Sequence, residues 1–270
     1  MTAPFGCRAA TIVARETHGA YVVLRAHDPT GPMPRPGQFY MLRTAERWGG
    51  GDGERPFLPR AFSVLRTRGR ELHFLIEDVG PGTKRLCELE PGEELLLVGP
   101  LGNGFTAPRD GREPLLAGGG VGIAPLAIWQ DELGAGTRVL LGFRDRAHAA
   151  GAALLSAAVV ATDDGSVGHH GLVTDLLEEE LGDHVEVYAC GPPAMLEAIR
   201  TACVDRGVPA QLALESDMAC GYGACFGCVV PTVDGYVRLC LDGPVLAAGK
   251  LAGASFLGSS AGAELPEAAR

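Results

Sequence analysis

Nowhere does the 270-residue chain reach the roughly 18 consecutive apolar positions that a membrane span requires. Its opening, MTAPFGCRAATIVARE, lacks the uninterrupted apolar stretch of an export signal. Basic runs are missing as well. Lys and Arg total 23 against 33 Asp and Glu, and the net charge of −10 would repel a polyanion. None of the histidines, His18, His27, His73, His148, His169, His170 and His184, stands at metal-ligand spacing. These absences argue against a nucleic-acid surface and a membrane span and predict a cytoplasmic protein. A local arginine pocket for one phosphate stays open.

Cysteine, in contrast, is plentiful. Eight cysteines would form a disulfide framework in a small secreted domain, but a chain of this length, 46% hydrophobic, can bury a core without one. Cys7, Cys87, Cys190 and Cys203 are scattered among apolar and turn segments and read as structural thiols. The other four are grouped as Cys220-x4-Cys225-x2-Cys228-x11-Cys240. Zinc accepts four thiolates, yet a zinc ribbon usually offers two CxxC knuckles and this run has one. C-x4-C-x2-C with a distant fourth cysteine is the spacing of plant-type 2Fe–2S ligation. Gly221, Gly223 and Gly227 would let the loop wrap an inorganic core and aim backbone N–H groups at its sulfurs.

The rest of the chain divides into zones. Residues 1–105 carry short alternating segments such as AYVVLRAH and ELHFLIEDVG, punctuated by Pro-Gly at 36–37, 81–82 and 91–92. They predict an antiparallel β-barrel. The stretch 45–56 reads as a loop or hairpin excursion. From 111 to 210, strands alternate with helices: PLLAGGGVGIAPLAIWQDEL, RVLLGFRD, a helix capped near Thr174, and HVEVYACGPPAMLEAIR. That order predicts an α/β domain on a parallel sheet. Residues 211–250 form a cysteine-rich module, and 251–270 a flexible tail.

Three places in this plan suit cofactors. Arg60, Phe62 and Ser63 open a strand with a cation, a ring and a hydroxyl, suited to a pyrophosphate and a flavin. Gly80, Gly82 and Thr83 precede a helix-like segment and read as a phosphate loop. Gly118, Gly119, Gly120 and Gly122 lie between strand and helix, as a dinucleotide site requires, and Cys190 and Gly191 repeat that arrangement. A one-electron iron–sulfur centre belongs beside a cofactor that handles one and two electrons, and flavin is the natural choice.

Taken in order, PGQF at 36–39, RAFS at 60–63, GPGT at 80–83, GGGVGIAPL at 118–126, TDDGS at 162–166, CGPPAML at 190–196 and ESDMACGYGACFGC at 215–228 carry a family resemblance. Up to about residue 250 the chain resembles the electron-transfer subunits of dihydroorotate dehydrogenase B, within the ferredoxin-reductase-like superfamily. The resemblance implies FAD in the barrel, held by Arg60, Phe62, Ser63, Gly80, Gly82 and Thr83. It further implies NAD beside Gly118 to Gly122 and a 2Fe–2S cluster on the four grouped cysteines. The implied partner is an FMN-containing dihydroorotate dehydrogenase catalytic subunit, in a heterotetramer of two catalytic and two electron-transfer subunits. Electrons would pass from dihydroorotate through FMN, the cluster and FAD to NAD+ in pyrimidine biosynthesis, and this chain would supply no general acid or base. Ala61 and Asp217 depart from the family pattern. Arg144, Asp145 and Arg146 offer both an acid for a ribose and bases for a phosphate, and the resemblance favours NAD over NADP. The alternatives are a diaphorase subunit of a sulfhydrogenase or NAD(P)-ferredoxin oxidoreductase complex, and a colourless zinc-bearing module on a dinucleotide fold.

Overall fold

The computed structural model describes residues 6–49, 56–109 and 111–253. The alternating segments of the first zone become strands β1 (Arg8–His18), β2 (Tyr21–His27), β3 (Phe39–Thr44), β4 (Arg60–Arg68), β5 (Glu71–Glu77) and β6 (Glu94–Leu101). They close into a barrel in the order β1-β2-β5-β4-β3-β6. Every neighbouring pair is antiparallel. Alternation puts Leu24, Tyr40, Leu42, Val64, Phe74 and Ile76 inside, where they fill the interior as side chains fill other small barrels. The three Pro-Gly pairs do not behave alike. Gly37 and Gly92 turn the chain at φ +88° and +97°, whereas Pro81 opens helix α1 (Pro81–Cys87), where its missing N–H costs nothing.

The second zone gives β7 (Glu113–Gly119), α2 (Ile123–Leu133), β8 (Arg138–Phe143), α3 (Arg146–Ala149), β9 (Ala158–Thr162), β10 (His169–His170), α4 (Val173–Glu178), β11 (Val185–Cys190) and α5 (Pro193–Asp205). All six residues of β11 are buried, as a central strand covered on both faces requires. Thr174, expected at a cap, lies inside α4. The cap is made by the Asp175 carboxylate, which accepts the Leu172 N–H at 2.8 Å.

Strand β12 (Ala210–Ala213) extends this sheet parallel to β11. The chain then makes the cysteine loop and the hairpin β13 (Val229–Thr232) and β14 (Gly235–Arg238), and returns as β15 (Val245–Ala247), antiparallel to β12. The final sheet order is β10-β9-β8-β7-β11-β12-β15. The cysteine segment is therefore held by the central sheet at both ends, and the boundary expected at 211 falls inside β12.

Helix α2 ties barrel to sheet. It is apolar nearly all round, and residues Ile123 to Gln130 are buried. Ile128 joins the barrel core, while Leu126 and Trp129 pack beneath the sheet. Arg66 of β4 holds Asp131 of α2 through two hydrogen bonds of 2.5 and 2.9 Å. Of the excursion expected over 45–56, residues 50–55 lie outside the described residues, as does the expected tail from 254 onward. Among the described residues no helix is long and apolar enough to cross a membrane.

Candidate functional site

At the mouth of the barrel, β4 delivers Arg60 to the start of α1. A Cβ on Gly82 would stand 2.9 Å from Arg60 Nε, so only glycine lets the guanidinium lie against this turn. The guanidinium also sits 5.9 Å above the Trp48 ring, and Trp48 Nε1 is buried with no hydrogen-bond partner among the described residues. A fixed cation beside an orphaned donor is the local chemistry a phosphate would satisfy. Thr83 is committed elsewhere: its hydroxyl accepts the N–H groups of Val79 and Gly80 at 2.9 and 3.0 Å and so holds the turn.

A cavity of about 160 Å³ lies where barrel, sheet and cysteine segment meet. Phe62 and Ser63 of β4 line one side, Val121 and Ala124 another, and Glu215, Ser216 and Met218 a third. Ser216 Oγ is buried without a partner among the described residues. Glu215 opens onto the cavity, and desolvation pushes its carboxyl above the usual carboxylate range. Cys190 Sγ faces Glu215 Oε1 at 4.0 Å. Burial pushes the Cys190 thiol far up, so it stays protonated. The segment that lines this cavity runs directly into Cys220.

A larger crevice, of about 430 Å³, opens beyond the carboxyl ends of β7, β8 and β11, the place where open α/β sheets bind ligands. The glycines expected there divide their work. Gly119 and Gly120 line the crevice, and Gly120 adopts φ +54° with open space beside it. Gly118 and Gly122 lie behind them as packing residues, and a Cβ on Gly122 would stand 2.4 Å from the Cys190 carbonyl oxygen. Gly191 gives Met195 room in the same way.

The triplet at 144–146 is largely engaged within the protein. Arg144 donates to Glu77 Oε1 at 2.9 Å. The Asp145 carboxylate caps α3 and accepts from His148, whose side-chain and backbone hydrogen bonds hold it below its ordinary value. Arg146 donates to the Ser166 carbonyl. Sequence reasoning missed Glu77, His148 and Asp163, all of which line the crevice. Glu77 comes from the barrel and reaches the crevice only where the two domains meet, while His148 and Asp163 follow the sheet strands β8 and β9.

The cysteine loop is shaped by two left-handed glycines, Gly221 at φ +79° and Gly223 at φ +84°. A Cβ at Gly221 would stand 2.5 Å from Met41 Cγ, which shows how closely the loop lies on the barrel. Gly227 has no such backbone need; its N–H donates to Cys225 Sγ at 3.4 Å. The Ala224 N–H donates to Cys220 Sγ at 3.3 Å, and the Cys240 N–H to Cys228 Sγ at 3.5 Å. Burial works against ionising Cys220, but N–H groups including those of Tyr222, Cys225 and Ala224 prevail and pull its thiol down to about 7. Burial and the adjacent Cys228 push Cys240 up to about 12, and a bound cation would reverse that.

Among the described residues no three His, Cys, Asp or Glu side chains form a single-ion centre. The Cys240 thiol interacts with both Cys228 and Cys220, and Cys225 hydrogen-bonds Cys220, so the four cysteines are neighbours in one loop region. Four neighbouring thiolates at C-x4-C-x2-C-x11-C spacing suit a two-iron cluster.

Residues 215–252 match the iron-sulfur cluster binding domain of dihydroorotate dehydrogenase B. Over 221 residues the chain is 38% identical to the dihydroorotate dehydrogenase B (NAD(+)) electron transfer subunit of Caldanaerobacter subterraneus subsp. tengcongensis, covering 80% of this chain and 86% of the relative. The subunit of that name from Clostridium acetobutylicum is 36% identical over 220 residues, with the same coverage of 80% and 86%. The solved structure of an NADH-dependent reduced ferredoxin–NADP oxidoreductase is similar with a TM-score of 0.76 and 26% identity, over 93% of this chain and 92% of that one. The ferredoxin reductase of carbazole 1,9a-dioxygenase shares the fold at a TM-score of 0.65 and 23% identity, over 77% and 68%.

Proposed function

The chain belongs to the family of dihydroorotate dehydrogenase B electron-transfer subunits, and from that premise we propose that it carries electrons from an FMN-containing, dihydroorotate-oxidising catalytic subunit, by way of a 2Fe–2S cluster and FAD, to NAD+ in pyrimidine biosynthesis. The partner would join it in a heterotetramer of two subunits of each kind. The observation that carries this reading is continuity: the segment from Leu214 to Met218 lines the cavity beside Phe62 and Ser63 and then becomes the cysteine loop. When bound, the cluster supplies one-electron exchange and the flavin converts it into two-electron chemistry.

The residues of this chain position and enclose. Arg60 would neutralise the FAD pyrophosphate, with Gly80 and Gly82 keeping the turn open to it. Phe62 and Ser63 would meet the flavin ring and its polar edge. Gly119 and Gly120 would let a nicotinamide dinucleotide approach the backbone, with Gly118, Gly122, Cys190 and Gly191 setting the two turns at the required separation. Cys220, Cys225, Cys228 and Cys240 would hold the iron. Exposed Phe226, Val233 and Tyr236 around the loop and hairpin offer the partner an apolar surface.

The isolated chain, purified anaerobically, is expected to contain FAD and iron and to oxidise NADH with an artificial acceptor. It is expected to leave dihydroorotate untouched, because in this reading the oxidation of dihydroorotate belongs to the FMN-containing partner. Steady dihydroorotate turnover by this chain alone would overturn the reading. The likeness to the ferredoxin–NADP oxidoreductase structure favours a second reading, a diaphorase subunit serving another donor. The identity of the co-purifying subunit separates the two.

A further inference from the structure

Resting on the four-cysteine reading above, we propose that Arg238 is a positioning residue for the iron–sulfur cluster, holding one loop peptide so that its N–H points at a ligand sulfur. Arg238 ends β14, on the strand facing the cysteine loop. Its Nη1 donates to the Gly223 carbonyl at 2.9 Å, and its guanidinium carbon lies 4.9 Å from the centre of the Phe226 ring. The Gly223 carbonyl and the Ala224 N–H are opposite ends of one planar peptide. The N–H end donates to Cys220 Sγ at 3.3 Å. Fixing the oxygen therefore fixes the hydrogen on the sulfur, and a charged donor on the oxygen polarises the N–H further.

The stacking contact has its own purpose. Phe226 stands at φ +60°, a conformation that costs energy for a residue with a side chain. The guanidinium over its ring helps to hold that turn, which leads from Cys225 into Cys228. Among the described residues no carboxylate pairs with the Arg238 side chain, whose backbone N–H alone meets Asp242, at 2.9 Å. Its charge is thus left to the cluster loop. Hydrogen bonds to the sulfurs and nearby positive charge both favour the more negative, reduced cluster.

The test is an EPR-monitored redox titration of the full chain carrying its cluster, comparing wild type with Arg238→Gln and Arg238→Lys. Arg238→Gln is expected to need about tenfold stronger reducing conditions for half-reduction, a shift of about 59 mV to lower potential for a one-electron couple. Arg238→Lys, which keeps the charge and one donor, is expected to fall between. A wild-type potential in Arg238→Gln at full iron content overturns the assignment. Should Arg238→Gln yield only apoprotein, Arg238→Lys decides: a lowered potential supports the clamp and an unchanged one rejects it. Absence of a 2Fe–2S signal in the wild type would reject the cluster reading itself, a different failure with a different spectrum.

Discussion

Cys225→Ser is expected to purify as a yellow flavoprotein without the iron–sulfur signal, able to oxidise NADH with an artificial acceptor but unable to serve a catalytic partner. Cys225 is the informative choice among the four. It is exposed, whereas Cys228 and Cys240 are 2% and 1% exposed and belong to the hydrophobic core. Replacing either buried thiol would mix loss of a ligand with damage to packing. At Cys225 the surroundings lose a sulfur that accepts the Gly227 N–H and meets the Cys220 thiol. Outer-shell changes around metal sites typically cost roughly 10–100-fold, so removal of a ligand is expected to lower partner-coupled turnover by more than about 100-fold. NADH oxidation by the chain alone is expected to stay within about twofold, since FAD and dinucleotide are held by residues of other segments. Iron analysis, EPR and the two assays check this together. Full iron content with undiminished coupled turnover would remove Cys225 from the ligand set.

Gly122→Ala is expected to have the largest effect of any single methyl group in the molecule's cofactor-facing turns. Gly122 has an ordinary helical backbone, φ −62°, so the penalty is purely steric. Its added Cβ would lie 2.4 to 2.5 Å from the Cys190 carbonyl and the Gly191 nitrogen, which are backbone atoms and cannot rotate away. The turn after β7 and the turn after β11 would have to separate, and between them lies the opening of the dinucleotide crevice. Overpacking of this kind costs typically 1–3 kcal/mol, and a backbone collision puts Gly122→Ala near the top, about 3 kcal/mol. A lower urea midpoint and a raised KM for NADH are expected together. Gly120→Ala tests a different cause, because nothing lies within 4 Å of its Cβ and only its φ of +54° opposes a side chain. If Gly122→Ala unfolds at the wild-type midpoint with an unchanged KM, the two turns are not in the contact described.

Much of this architecture was legible in the sequence because local patterns decide it. Period-two alternation defined the barrel strands, and the GGGVGIAP turn between a buried strand and an apolar helix falls at the crevice beyond the sheet's carboxyl ends. The cysteine spacing pointed to two-iron ligation, and the segment matches an iron-sulfur cluster binding domain. What stayed hidden depends on tertiary packing. The strand Val245–Ala247 is too short to show a period and is specified by pairing with β12 across the cysteine loop. The contact of Arg144 and His148 with Glu77 joins two domains, which no window of sequence contains. Glycines that look alike in a run turned out to serve different ends, Gly120 a left-handed backbone and Gly122 a close approach. Nothing in the sequence marks Arg238, because its partners Gly223 and Phe226 are brought to it only by the return of the chain. Leu214, Glu215, Ser216 and Met218 became cavity lining for the same reason.

The measurement that tests the account most directly is NAD+ reduction on adding dihydroorotate anaerobically to this chain together with the candidate FMN-containing subunit. NADH is expected only when both proteins are present, and not when the chain carries Cys225→Ser. NADH formation by the catalytic subunit alone, or none from a complex with its flavins and iron in place, would contradict this chain's role as the conduit from dihydroorotate to NAD+.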